Sequence, residues 1–199
     1  MKTVGELRQV LQQRGLLQEE TENLKIGQTQ ENDRRHMDWE RVGNRTAYTE
    51  SEVALPIDWL TCDSRTVREH TAFICKGAAF RPEYLAAAAR NGAVCYISEA
   101  PIELEGDVSL IPLLVTDIRK AMAVASAWFF DYENGHPILT GITGTKGKTT
   151  TAWYLKAMLD EWEKELGEPE TGLISTVENY DGVSRSEAVM TTPEAPTLH

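Results

Sequence analysis

Residues 138–151, Ile-Leu-Thr-Gly-Ile-Thr-Gly-Thr-Lys-Gly-Lys-Thr-Thr-Thr, restrict this chain more than any other stretch. An apolar run from Pro137 to Ile142 enters a segment carrying Gly141, Gly144 and Gly147. Lys148 and three threonines then lead into a helical pattern. Strand, glycine-rich turn and helix start, in that order, make a phosphate-binding loop. Glycine admits positive φ and lets backbone N–H groups crowd an anion. The first turn of a helix adds unpaired donors and a partial positive charge. Lys148 is placed to reach the β- and γ-phosphates, and the Thr149 hydroxyl to hold Mg²⁺. The general pattern G-x-x-x-x-G-K-[ST] asks for glycine at 142, where this chain has Ile142; Gly141 is one residue early and Gly144 lies inside the loop. The plain alternative is a surface loop with a chance Gly-Lys-Thr. The strand and helix expected on either side argue against it.

The rest of the chain reads as α/β. Residues 3–16 form an amphipathic helix with Val4, Leu7, Val10 and Leu11 on one face, ended by Gly15. Residues 18–53 are polar, mixed in charge and aperiodic, which predicts a long exposed insertion. His36 and Asp38 fall there; with no second cluster of ligand-type residues, a solvated charged stretch is the simpler account. Strands are expected at Ile57–Cys62, Ala72–Cys75, Ala93–Ile97 and Leu110–Val115. A helix from Pro82 is capped by Asn91-Gly92, and another runs from Thr116 or Asp117 to about Tyr132. That second helix is apolar nearly all round and is expected to be buried. The turn-rich stretch Asp131–Pro137 marks a domain boundary. Beyond the glycine loop, a helix over 149–166 offers Trp153, Leu155, Met158, Leu159 and Trp162 to a core. A strand at Thr171–Val177 and a turn at Asp181-Gly182 follow. Thr191 or Thr192 before Pro193 and Glu194 resembles a helix start. Strands alternating with helices predict a mostly parallel sheet around the loop.

Composition excludes several classes. A net charge of −11 argues against a nucleic-acid or anionic-membrane surface, leaving room for a local basic site. The opening residues lack a signal-type apolar core, and the apolar stretch Ala121–Phe130 is too short to span a bilayer. Cys62, Cys75 and Cys95 have no metal-ligand spacing and lie in strand-like runs, so each is expected to be a buried free thiol in a reducing cytoplasm.

Three stretches together resemble the Mur ligases. Gly141-x-x-Gly144-Thr145-x-Gly147-Lys148-Thr149-Thr150 resembles their ATP loop, with its variant glycine spacing. Asp63-Ser64-Arg65 with Phe73-Ile-Cys-Lys-Gly77 resembles the N-terminal nucleotide-sugar domain of the members that add the third amino acid. Thr191-Thr192-Pro193-Glu194 resembles a motif of their ATP domain. The resemblance covers about residues 57–199. The glycine loop alone would also admit folylpolyglutamate synthetases, which usually carry Gly-Lys-Gly-Ser there; the Asp-Ser-Arg module decides against them. The form Phe-Ile-Cys-Lys-Gly-Ala-Ala-Phe-Arg-Pro-Glu-Tyr-Leu is nearest the lysine-adding variants.

The resemblance implies an ATP- and Mg²⁺-dependent amide-forming ligase of peptidoglycan-precursor synthesis. Its substrates would be UDP-N-acetylmuramoyl-L-alanyl-D-glutamate and an amino acid, L-lysine by the variant. The reaction would pass through an acyl phosphate. Residues 1–135 would bind the UDP-sugar peptide, and 136–199 would begin a P-loop, parallel-sheet ATP domain. The amino-acid-selecting C-terminal domain would lie outside the chain, so these residues alone would be inactive. By position, Gly144, Thr145, Lys146, Gly147, Lys148, Thr149 and Thr150 would wrap the ATP phosphates. Lys148 would be catalytic and Thr149 the metal ligand. Ser64, its turn fixed by Asp63 and Arg65, would meet the uridine diphosphate. Thr191 and Thr192 would meet the muramoyl-peptide, and Glu187 and Glu194 are further carboxylates that could serve the metal. Two other readings stay open: a non-catalytic nucleotide or UDP-sugar module, and an unrelated P-loop hydrolase or kinase for which Ser64 and Thr191 would be irrelevant.

Overall fold

The computed structural model describes residues 1–18, 48–77, 80–104, 110–132, 138–188 and 193–197. The chain divides into two units, Met1–Gly135 and His136–Leu198.

In the first unit, β1 (Lys2–Thr3) runs into α1 (Val4–Gln13). Thr3 starts the helix with a capping box. Its hydroxyl accepts from Glu6 N, and the Glu6 carboxylate accepts from Thr3 N, both at 3.2 Å. Val4, Leu7 and Leu11 are buried on one face. A second capping box, Thr49 with Glu52, starts the short α2 (Glu50–Val53). β1 pairs antiparallel with β2 (Pro56–Ile57). Four strands follow in parallel and in chain order: β3 (Trp59–Thr61), β4 (Thr71–Ile74), β5 (Ala93–Ser98) and β6 (Ile111–Leu114). Between β4 and β5 runs α3 (Pro82–Arg90), with Pro82 at its first turn. After β6, Asp117 caps α4 (Ile118–Phe129).

Every residue of β4 and β6 is buried, because a parallel sheet covered on both faces needs continuous apolar runs. Alternation sends Phe73 and Tyr96 to one face, where they pack with Leu85 and Ala88 of α3. Ile74 and Ile97 turn to the other face, and α4 packs there on β5. Each such fully buried side chain contributes about 1.5–3 kcal/mol. Cys75 and Cys95 are buried as expected, whereas Cys62, just past the end of β3, is only half-buried.

The flanks of the polar stretch 18–53 are ordered. Gln18 N donates to Leu114 O at 3.0 Å, and the Tyr48 hydroxyl donates to Pro112 O at 2.9 Å. His36 and Asp38 lie outside the described residues.

The second unit departs from expectation in two ways. First, among the described residues no strand leads directly into the glycine loop; Pro137, where the expected run begins, lies outside them. Residues 138–143 have no regular structure, with Ile138 98% exposed and Leu139 72% exposed. An apolar run becomes a strand only with neighbours to pair with, and none of the described residues pairs with this one. The described strands of this unit are β7 (Leu173–Ile174), β8 (Glu178–Tyr180) and β9 (Arg185–Glu187), all antiparallel, so the parallel sheet belongs to the first unit instead. Second, α5 (Lys148–Leu166) does not bury its apolar residues as expected. Met158 is 71% and Trp162 60% exposed, Trp153, Leu155 and Leu159 are half-buried, and the buried residue is Lys156. The antiparallel strands meet α5 on the Lys156 side, leaving the Met158 side open. The Asp181-Gly182 turn forms as expected, with Asp181 Oδ1 accepting from Val183 N and Ser184 N. A 3₁₀ turn spans Ala195–Thr197.

Candidate functional site

The start of α5 is the part of the second unit built to receive an anion. Gly147 is its N-cap at φ +79°, a conformation costly for any residue with a Cβ. Being glycine, it offers no side chain to the helix. The first bond into this cap is Thr151 N to Gly147 O at 2.9 Å, so the N–H groups of Lys148, Thr149 and Thr150 have no partner among the described residues. The other helices close this end differently. Side chains cap α1, α2 and α4, and α3 opens on Pro82, which has no N–H. Lys148 Nζ bends back to donate to Gly144 O at 2.7 Å, which holds its charge over the loop. The Thr149 hydroxyl lies 3.2 Å from that of Thr176, in the turn after β7. Gly144, Thr145, Lys146, Gly147, Lys148 and Thr150 are exposed, and Thr149 is half-buried. The structure therefore leaves three open donors, on Lys148, Thr149 and Thr150, directly after the loop Gly144–Gly147.

Thr149 suits a magnesium ion carried by a nucleotide. Mg²⁺ takes one or two protein oxygens and completes its shell with phosphates and water. The described residues contain no group of three or more His, Cys, Asp or Glu that would form an all-protein metal cage.

In the first unit, Asp63-Ser64-Arg65 forms a tight turn after β3. Asp63 Oδ1 accepts from Arg65 N at 2.9 Å, and the carboxylate takes the guanidinium in a fork, Nε at 2.9 Å and Nη2 at 2.7 Å. This hydrogen bonding from Arg65 holds the Asp63 carboxyl below the usual carboxylate range, against some desolvation. Thr61 and Thr66 share a hydroxyl bond of 2.8 Å underneath. Ser64 Oγ has no partner among the described residues and sits at the rim of the turn. Thr191 and Thr192 lie outside the described residues.

A cleft of about 640 Å³ opens at the carboxyl ends of β4, β5 and β6, where open α/β sheets bind ligands. Lys76, Gly77, Phe80, Ser98, Thr116 and Arg119 contribute to its lining. The N-terminus of α4 also lies there, but its donors are occupied. Asp117 Oδ1 accepts from Arg119 N and Lys120 N at 3.0 Å, and Glu99 Oε1 accepts from Ile118 N at 2.9 Å. The end of α4 therefore has no open donor in its first turn for an anion entering this cleft, whose lining includes the cationic side chains Lys76 and Arg119. Sequence reading reached Lys76 and Gly77 through the Phe73–Gly77 motif. It passed over Ser98, Thr116 and Arg119, which strand-end position alone could have flagged. Nothing in the sequence singled out Thr176.

Residues 142–199 match the Mur ligase middle domain. A UDP-N-acetylmuramyl-tripeptide synthetase of Lactobacillus acidophilus is 40% identical over 157 residues, 77% of this chain and 29% of that protein. A UDP-N-acetylmuramoyl-L-alanyl-D-glutamate–L-lysine ligase of Enterococcus faecalis is 42% identical over 141 residues, 70% of this chain and 26% of that protein. The chain belongs to the Mur ligase family. It spans between 26% and 29% of the length of these curated relatives. Among solved structures, a UDP-N-acetylmuramoyl-L-alanyl-D-glutamate–2,6-diaminopimelate ligase shares the fold over 80% of this chain and 31% of that one, at 20% identity and a TM-score of 0.53. In this Mur ligase chain, the middle-domain match begins just after Gly141 and takes in Gly144–Thr150 and the open start of α5.

Proposed function

We propose that the protein carrying this chain is an ATP-dependent ligase of peptidoglycan-precursor synthesis. It joins an amino acid, L-lysine, to UDP-N-acetylmuramoyl-L-alanyl-D-glutamate through an acyl phosphate, in the cytoplasm. The observation that carries the reading is the uncapped first turn of α5, ringed by Gly144–Thr150, in a chain of the Mur ligase family. The named lysine ligase at 42% identity supports the choice of amino acid.

Each residue has a physical task. The N–H groups of Lys148, Thr149 and Thr150 receive ATP phosphate oxygens. Lys148 exchanges Gly144 O for the transferring phosphate, where its charge offsets the charge that builds up during transfer. Thr149 holds the nucleotide's Mg²⁺, which neutralises phosphate charge when bound. Ser64 and the cleft carrying Lys76 and Arg119 receive the uridine diphosphate and its sugar. Thr191 and Thr192 hydrogen-bond the muramoyl-peptide.

The test is phosphate release from ATP by the protein encoded in the complete reading frame containing these residues. It is run with UDP-N-acetylmuramoyl-L-alanyl-D-glutamate, with and without L-lysine, beside Lys148→Ala. The expected result is release that needs both substrates and falls at least about a hundredfold in the variant. Release with diaminopimelate in place of lysine overturns the choice of amino acid. Release indifferent to the muramoyl substrate overturns the ligase.

A further inference from the structure

We propose that Thr176 is a positioning residue for the metal-holding hydroxyl of Thr149; this rests on the nucleotide reading above. The two hydroxyls are 3.2 Å apart, and either could donate. A hydroxyl that ligates a cation must point a lone pair at it, so its proton has to be directed elsewhere. Thr176 Oγ1 is the acceptor on hand. With that proton fixed, the lone pairs of Thr149 face away from Thr176. Groups that orient a ligand in this way raise metal affinity without touching the metal.

The arrangement is held from both sides. Thr176 sits at the tip of a turn whose preceding residue, Ser175, is 8% exposed. The Ser175 hydroxyl donates to Glu178 O at 2.8 Å and accepts from Val177 N and Glu178 N at 3.2 Å, so the turn has little freedom. Two helical turns along α5 from Thr149, buried Lys156 fastens the helix to the other end of β7. Its Nζ donates to Asp160 Oδ2 and Thr171 O, both at 2.8 Å, and Thr171 N donates to Asp160 Oδ1 at 2.9 Å. The Thr149–Thr176 pair thus joins a turn stiffened by Ser175 to a helix that Lys156 fastens beyond the far end of β7.

The experiment titrates ADP into the complete protein in EDTA and at graded Mg²⁺, for wild type, Thr149→Ala, Thr176→Val and Thr176→Ser. Circular dichroism confirms that each variant is folded. For Thr176→Val, the ADP Kd in EDTA should stay within about twofold of wild type, while Mg²⁺ affinity in the ternary complex falls roughly tenfold. Thr176→Ser, which keeps the acceptor, should restore it. If Thr149→Ala loses the Mg²⁺ effect and Thr176→Val keeps it, the positioning role is wrong and the nucleotide site stands. Equal weakening with and without Mg²⁺ would make Thr176 merely structural and also overturns the proposal. ADP binding that Mg²⁺ does not strengthen removes the role of Thr176 but not the nucleotide site. Wild-type protein that does not bind ADP overturns both readings.

Discussion

Gly147 and Gly92 show how differently two glycines at positive φ constrain one chain. At Gly147, φ is +79°, and an added Cβ would meet nothing within 4 Å. The penalty of Gly147→Ala is therefore conformational alone, about 1–2 kcal/mol. At Gly92, φ is +102°, and a Cβ would lie 2.8 Å from Glu69 Cα and 3.0 Å from Glu69 N. Here the strain is joined by a clash with backbone, which cannot swing aside. Urea midpoints should show Gly92→Ala as the more damaging change, with the excess confined to the first unit. Equal losses would mean that the loop between Arg68 and Thr71 yields freely, contrary to the bond from the Thr71 hydroxyl to Arg68 O at 2.6 Å. Open space at Gly147 is also what a phosphate needs, so the residue that tolerates a methyl sterically is the one where a methyl should interfere with an anion.

At the scale of the element, α5 inverts the usual rule for helices. Tyr154, Met158, Trp162 and Leu166 recur every fourth residue and are all at least 60% exposed, whereas Lys156 is 4% exposed. Met158→Glu should accordingly change stability by no more than about 0.5 kcal/mol. Lys156→Met keeps the apolar stem but strands Asp160 and Thr171 O, and should cost about 2 kcal/mol. Amide exchange across 148–188 separates the outcomes: faster exchange in β7 for Lys156→Met and little change for Met158→Glu. The reverse order would place the helix's packing face on the wrong side. This inversion also marks the limit of sequence reading. In the first unit, the face of α1, the cap of α4 at Thr116 or Asp117 (Asp117 in the structure) and the strand at Ala93–Ile97 were legible, because alternation and capping are local signals. Periodicity in α5 shows which residues share a face, but not which face has a neighbour. The apolar run 138–142 signals a strand only if partners exist, and a hydroxyl pair such as Thr149–Thr176 depends on the chain returning 27 residues later, which no spacing announces.

The two units should part company in alkali, because their titrating groups differ. On the acid side they are alike. In the first, Asp63 and Asp117 are held below the usual range by bonds from Arg65 and from Lys120 N. In the second, burial pushes Asp160 up, but Lys156 and Thr171 N outweigh it, and Asp181 is lowered chiefly by Ser184 N. A lowered carboxyl contributes stability above its unfolded value, about 3.9, and loses it as pH falls through the folded value; both units therefore weaken in acid. On the alkaline side, burial raises the thiol of Cys75 and pushes that of Cys95 up to about 12. Burial also raises the Tyr96 phenol. A raised thiol contributes its full share below the unfolded value, about 8.5, and loses it as pH climbs toward the folded value. Each of the two thiols should then withdraw stability progressively as pH climbs above about 8.5. The second unit holds no cysteine, and among its described residues the raised phenol is that of Tyr180, raised chiefly by its bond with Glu170 from about 10. In a Trp153→Phe/Trp162→Phe background the remaining tryptophans, Trp39, Trp59 and Trp128, all precede residue 136 and report on the first unit. Its urea midpoint should hold steady from pH 5 to 8 and drop by pH 10, and adding Cys75→Ala/Cys95→Ala should abolish most of that drop. A fall that persists without the two thiols would assign the alkaline weakness to Tyr96, which is raised by the same burial and packs in the same cluster as Cys75.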